Sequence, residues 1–323
     1  MAIVGITSPP YANMISGGSN SFESMMKRLD SGKIKSEVVK KRLNNLKKNK
    51  SSDISMKGVV DSTYGKTVGQ IGNLKDELSF SDEEINAGCN SVWHGCYEDG
   101  RYRSYFSKES LIHAAKISPI LVMKIINHLN LNQKDTMIDF FSGTARIPLI
   151  ASMMGYNSIG IELEKHFYEM SLRNQKHLEN RLGRKLPCSL YKGDSRYIGN
   201  IINNIDIIPT DIKNENYSEA IRQFYKSAFD YGISPLVLVL KNPTKNKKVQ
   251  RLDLKNIEIM NDCGYELYDY HKALLFEEVH QMTLNGDVKK RAYGRISMFR
   301  RLQMKAGAEV ARWEDCLFFK KRI

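Results

Sequence analysis

Residues 135–194 alternate between short apolar runs and amphipathic stretches, and no other feature narrows the possible folds as much. DTMIDFFSG (135–143) reads as a strand and tight turn, ARIPLIASMMG (145–155) as a helix, and NSIGIELE (157–164) as a second strand. EKHFYEMSLRNQKHLENRLG (164–183) follows with helical spacing, and CSLYKGDS (188–195) with strand character. Strand, helix, strand, helix, strand is the signature of a parallel βαβαβ unit. The rest of the chain extends the pattern. AIVGIT (2–7) is a short buried strand stopped by Ser8-Pro9-Pro10, and LVLVLK (236–241) is an apolar, β-branched run fit for a central strand. Helices are expected over 107–130, 217–229 and 253–263, and strands over 265–275 and 315–321. The fold class is α/β, a doubly wound, mostly parallel sheet.

Hydrophobic content of 41% in 323 residues supports a sizeable core and excludes wholesale disorder. No apolar run approaches the roughly 18–20 residues that span a bilayer, so no membrane partner is expected. MAIVGITSPPY has neither a basic leader region nor a small-residue cleavage site, so it does not read as a signal peptide. Five scattered cysteines, an odd number, fit a reduced cytoplasmic protein better than a disulfide scaffold.

The net charge of +13 is local. Residues 27–50 carry ten cations against two acids, and residues 286–305 carry seven against one, which leaves the remaining chain near neutral. Two basic segments on a neutral body suggest a polyanion surface, with Lys40, Lys41, Arg42, Lys289, Lys290, Arg291, Arg295, Arg300 and Arg301 as candidate nucleic-acid contacts. The alternative is a solvated lysine-rich face. Helices are expected near 21–30 and 35–48 inside a basic insertion over 12–80. A second basic insertion is expected over 276–313.

Two constellations carry chemistry. Asp139, Glu162 and Asp194 close three successive strands and so should line one crevice, as in ligand sites of open α/β sheets. Asp139 can accept from a ligand ammonium, Glu162 from ribose hydroxyls and Asp194 from an adenine amino group. The small-residue turn Phe140-Phe141-Ser142-Gly143-Thr144 lets backbone N–H groups approach the ligand. Each acid could instead be an ordinary helix cap, Asp194 most readily. The second constellation is Ser8-Pro9-Pro10-Tyr11. Ser8 and the carbonyl of Pro9 can accept from the two hydrogens of a nucleobase amino group, favouring a pyramidal nitrogen that attacks a sulfonium methyl. Tyr11 offers a ring on which the base stacks.

The pairing of TSPPY (7–11) with DFFSGT (139–144) resembles the S-adenosylmethionine-dependent DNA amino-methyltransferases that modify N4 of cytosine or N6 of adenine. YFSKESLIHAAKIS (105–118) is similar to their helix motif over the methionine end of the cofactor, which implies cofactor contacts from Phe106, Ser107, His113 and Lys116. IGIELE (159–164) resembles the ribose-binding strand end, and YKGDSR (191–196) the adenine-binding turn, with Ser195 beside Asp194. The resemblance implies a Rossmann-like methyltransferase fold with a seven-stranded sheet. The chain would be one domain: a catalytic strand and motif over 2–11, a cofactor half over 101–211 and a C-terminal half over 216–323.

The implied function is DNA methylation at an exocyclic amino group, cytosine N4 favoured by the serine of the SPPY motif, within a restriction–modification setting. Adenine N6, an RNA amino group or a non-catalytic nucleic-acid-binding protein are the alternatives, with DNA or structured RNA as partner. No metal is expected. Cys89, His94 and Cys96 lie near Trp93 but lack CxxC spacing. Cys188 precedes the third strand and reads as an ordinary thiol. The motif order departs from the family, because SPPY opens the chain while IDII (205–208) stands where SPPY follows GDSR in many relatives. In-line methyl transfer needs donor and acceptor about 3–3.5 Å apart, so residues 2–7 are expected beside the DFFSG strand whatever the order.

Overall fold

Apolar runs of four to six residues, buried on both faces, can form only the interior of a sheet covered by helices on each side. The computed structural model describes residues 2–8, 86–97, 100–107, 110, 117–202, 217–282, 288–294, 307–308 and 310–322. In chain order the elements are β1 (Ile3–Thr7), β2 (Ser91–Trp93), α1 (Pro119–Leu129), β3 (Thr136–Asp139), α2 (Arg146–Met153), β4 (Asn157–Glu162), α3 (Lys165–Leu182) and β5 (Cys188–Lys192). Then come α4 (Ile198–Ile202), α5 (Tyr217–Asp230), β6 (Leu236–Leu240), β7 (Thr244–Lys245), β8 (Lys248–Val249), α6 (Leu252–Asp262), β9 (Tyr265–Leu274), β10 (Phe276–Met282), β11 (Val288–Gly294) and β12 (Trp313–Lys321).

The principal sheet has the order β2-β9-β12-β6-β1-β3-β4-β5. Only β12 runs antiparallel to its neighbours, pairing with β6 and β9. Side chains alternate between two cores, as a strand period of two requires. Val237 and Val239 join Leu121, Ile125, Leu149 and Leu178 on the face covered by α1, α2 and α3. Leu236, Leu238 and Leu240 join Ile201, Phe224, Tyr225 and Met260 under α4, α5 and α6. This is a Rossmann-like, doubly wound arrangement.

The early strand resolves the order of the motifs. β1 lies parallel between β3 and β6, with Gly5 level with both Ile138 and Leu236. Its start is pinned by the amide of Ala2, which donates to Asp135 at 2.7 Å, and by the amide of Thr136, which donates to the carbonyl of Ala2 at 3.0 Å. Gly5 is required by close packing. A Cβ there would stand 2.5 Å from Leu236 Cδ1 and 3.0 Å from both Ile233 and Phe140.

Several expectations are corrected in detail. The sheet has eight strands rather than seven, because β2 adds parallel to the outer strand β9 with Ser91 opposite His271. Within 107–130 the described helix is α1 alone, which starts at Pro119 after Ser118 and ends at Asn130 in the left-handed conformation. A 3-10 segment, Gly100–Tyr105, precedes it. The second basic insertion contains the antiparallel hairpin β10–β11, and Lys289, Lys290 and Arg291 lie on β11, of which the backbone alone is described. Helices near 21–30 and 35–48, residues Lys40, Lys41, Arg42, Arg295, Arg300 and Arg301, and the IDII segment lie outside the described residues. Among the described residues, no helix is long and apolar enough to cross a membrane.

Candidate active site

In an open α/β sheet, ligands bind beyond the carboxyl ends of the strands, where chain direction across the sheet reverses. Here that point lies between β1 and β3. From β3 the chain winds outward through β4 and β5, whereas β6, β12 and β9 occupy the other side of β1. Thr7, the last residue of β1, donates from Oγ1 to Asp139 Oδ1 at 3.2 Å. The catalytic-motif strand and the cofactor strand are therefore joined side chain to side chain at their carboxyl ends. Ser8, half-buried, follows directly. Pro9, Pro10 and Tyr11 lie outside the described residues, as do His113 and Lys116.

Asp139 is fully buried, and burial lifts its carboxyl from the usual carboxylate range to about 7. The amide of Phe141 and the hydroxyl of Thr7 oppose that shift, and Glu162 adds to it. Glu162 is also raised by burial. One of its oxygens accepts from the amide of Gly143 at 2.7 Å and the other from the amide of Glu164 at 2.9 Å. A carboxylate has about four acceptor positions, so capacity for ribose hydroxyls remains. Gly143 has φ +52°, a left-handed conformation suited to glycine. Ala145 adopts φ +61° at the cap of α2, where a glycine would be unstrained.

The turn is tied to its neighbours. The amide of Ser142 donates to Ile161 at 2.9 Å, that of Gly193 donates to the carbonyl of Glu162 at 3.0 Å, and Ser195 Oγ donates to the carbonyl of Phe140. Phe140 itself faces the core against Phe224, as does the half-buried Phe141, so both offer the site backbone rather than rings. Thr144 is buried, and its carbonyl accepts from Asn174 Nδ2 at 2.9 Å. Asn174 Oδ1 in turn accepts from the amide of Ser107 at 2.8 Å. The guanidinium of Arg146 covers the ring of Phe106 at 4.6 Å. Ser107 and Phe106 are thus linked to the end of the glycine turn through Asn174 and Arg146.

Asp194 differs from the other two acids. Its carboxylate caps the 3-10 turn Ser195–Tyr197 through the amide of Arg196 and is held by the Arg196 side chain at 2.6–3.1 Å. The structure places it against an arginine rather than leaving it open, the capping role weighed above.

One residue of this site, Asn174, carries no motif. Asn174 shared one available signal. It falls on the buried stripe of α3 with Met170, Ser171 and Leu178, and a fully buried asparagine needs partners on both ends of its amide. Cys188 is not a nucleophile here, because burial pushes its thiol up to about 11.

The residues fit an S-adenosylmethionine-like ligand on a direct observation. Among the described residues, Ser142 Oγ is buried in the turn without a hydrogen-bond partner, beside two desolvated acids that lack an arginine or lysine partner. An orphaned polar atom in such a place is satisfied by a ligand.

The comparisons bear on the same residues. A family model for N6/N4 methyltransferases, described as DNA methylase, matches residues 33–173. No curated protein matches the sequence. Among solved structures the chain is similar to a precorrin-6y C5,15-methyltransferase from Geobacter metallireducens, with 14% identity over 69% of this chain and 98% of that one and a TM-score of 0.40. It is similar to TrmN from Thermus thermophilus, with 9% identity over 66% of this chain and 52% of that one and a TM-score of 0.37. It is also similar to a SAM-dependent methyltransferase from Methanosarcina mazei, with 10% identity over 61% of this chain and 97% of that one and a TM-score of 0.36. Residues 33–173, less than half of the chain, are thus similar to the N6/N4 DNA methylases.

Proposed function

We propose that the chain methylates an exocyclic amino group in DNA, N4 of cytosine, as a cytoplasmic modification enzyme. The observation that carries this reading is the position of β1, whose carboxyl end meets Asp139 through Thr7 and so brings Ser8 to the cofactor crevice. The serine in first place of Ser8-Pro9-Pro10-Tyr11 supports cytosine. The five free cysteines support a reducing setting.

The bound cofactor supplies an electrophilic sulfonium methyl. Asp139 holds the methionine ammonium and Glu162 the ribose hydroxyls. Phe106 and Ser107, with His113 and Lys116 of the same motif, close over the methionine end. Asp194 shapes the adenine turn through Arg196 and sets the position of Ser195. On the substrate side the target base leaves the duplex stack. Tyr11 stacks on it, and Ser8 with the Pro9 carbonyl accepts from the two amino hydrogens, which localises the nitrogen lone pair for attack. With the cofactor bound, the nitrogen would take the methyl as the bond from methyl to the sulfonium sulfur breaks to leave the neutral thioether, and the proton would pass to solvent without a general-base carboxylate. The basic segments 27–50 and 286–305 neutralise phosphates.

Transfer of tritium from labelled cofactor to DNA and to RNA, followed by nucleoside analysis, tests the reading. N4-methylcytosine in DNA is the expected product. Label in adenine or only in RNA overturns the base or the polymer, and Tyr11→Ala that keeps full turnover overturns the assignment of the motif.

A further inference from the structure

Outside the crevice, two histidines and an aspartate from distant parts of the chain converge on one point. His128 lies in the last turn of α1, and Asp269 and His271 alternate along β9, so they face the same side of the sheet. His128 Nε2 stands 2.8 Å from Asp269 Oδ2, His271 Nε2 stands 3.0 Å from the same oxygen, and the two Nε2 atoms are 3.2 Å apart. A tetrahedral zinc ion with bonds of about 2.0–2.1 Å has ligand–ligand edges of about 3.3 Å. The three donors need to spread by only tenths of an ångström to take an ion between them.

The surroundings hold the donors in place. Ser91 Oγ, on β2, bonds His271 Nδ1 at 2.8 Å, which leaves Nε2 as the outward nitrogen. Trp93 stacks on the His271 ring with centroids 4.4 Å apart and meets His128 edge-on at 5.4 Å. Phe318 of β12 packs edge-on against both imidazoles, closing the apolar side. The Lys124 ammonium lies 5.4 Å over the Trp93 ring.

We infer that His128, Asp269 and His271 form a binding site for a divalent transition-metal cation of the zinc class, separate from the methyl-transfer crevice. Two imidazoles and one carboxylate suit zinc and its neighbours rather than magnesium or calcium, which take oxygen ligands. Three protein ligands leave a coordination position for water on the side of His128, whose side chain is 37% exposed. The site lies in mid-strand on β9, which β12 and β6 separate from β1, about 14 Å across the sheet at about 4.8 Å per strand. It links α1 to β9 across 141 residues of sequence. A bound ion would therefore clip the outer edge of the sheet, with β2, to the helix that covers it.

The test is zinc titration of the full-length chain against a competing chromogenic chelator, with melting temperature as a second readout. One equivalent is expected to bind and to raise the melting temperature. His128→Ala, at an exposed position, and Asp269→Asn are each expected to weaken binding at least tenfold and to abolish the thermal shift. Cobalt bound in place of zinc is expected to show no thiolate charge-transfer band. A hydrogen-bonded cluster that takes no ion would give no uptake and would overturn the inference. So would uptake equal in both variants, or a thiolate band, which would place the ion on cysteines.

Discussion

Asp139 at the end of β3 and Asp194 at the end of β5 are both buried aspartates beyond a strand, at 2% and 4% exposure, yet they are neutralised differently. Asp194 has the buried guanidinium of Arg196 against it. Among the described residues Asp139 has only a hydroxyl and an amide, and burial lifts its carboxyl to about 7 against both. A buried charge with a cation from its own chain is complete in the free protein and acts on structure. A buried carboxylate without one is costly in the free protein, and a cationic ligand relieves that cost. Under the proposed function, the difference separates the acid that shapes the crevice from the acid that takes the ammonium of the cofactor.

The largest expected effect comes from breaking the completed pair. Asp194→Ala leaves Arg196 buried without its carboxylate and should cost about 3–5 kcal/mol in urea unfolding. Asp139→Asn should cost little at pH 8, where it removes a desolvated charge. If the two variants unfold alike, the comparison fails.

Cofactor affinity should rank them the other way. Asp139→Ala and Glu162→Ala should each weaken S-adenosylhomocysteine binding by about 1–3 kcal/mol in calorimetry, the worth of a charged hydrogen bond. Unchanged binding in both would remove these acids from the site.

Acidity sharpens the same point. Asp139 is raised above its unfolded value, so between about pH 4 and 7 the folded free protein holds a proton that the unfolded chain has lost. Its contribution to stability therefore falls as pH rises through that window, by up to about 1.4 kcal/mol per unit, and is level above it. Binding of an ammonium requires the ionised form. Affinity should then drop by up to tenfold per unit below pH 7, with proton release on binding, and Asp139→Asn should flatten both profiles. Calorimetry in buffers of different ionisation enthalpy reads the proton directly.

The smallest effect concerns the turn between the two strands. Ala145 holds φ +61°, which costs a non-glycine residue about 1–2 kcal/mol. Ala145→Gly relieves that strain but loses a buried methyl and adds freedom to the unfolded chain. A net change within about 1 kcal/mol, on the stabilising side, is expected in thermal unfolding.

Much of this arrangement is legible in the chain itself. The βαβαβ unit, the strands at both ends and the helices over 217–230 and 252–262 follow from apolar periodicity, because a buried face imposes its period on neighbouring residues. The series Asp139, Glu162, Asp194 follows from the same reading, since a parallel unit puts every strand end on one edge. The contrast among those acids does not. Arg196 lies only two residues beyond Asp194, but nothing local says that its guanidinium folds back rather than turning to solvent. Asn174 reaches Ser107 and Thr144 from 67 and 30 residues away. No motif records such a bond.

Sequence by itself determined the alphabet of elements and the acids at strand ends, because each depends on residues near one another in the chain. The place of β1 beside β3 is expected from the geometry of methyl transfer, whereas tertiary structure alone decided that β6 takes the other side of β1, that β2 adds an eighth strand, and that His128 meets Asp269 and His271. Strand pairing satisfies backbone hydrogen bonds with any partner of suitable register, so local composition leaves the slot open. What selects it is the fit of whole faces: Gly5 opposite Leu236, Ile233 and Phe140, where no side chain fits, and Thr7 at the one strand end that holds Asp139.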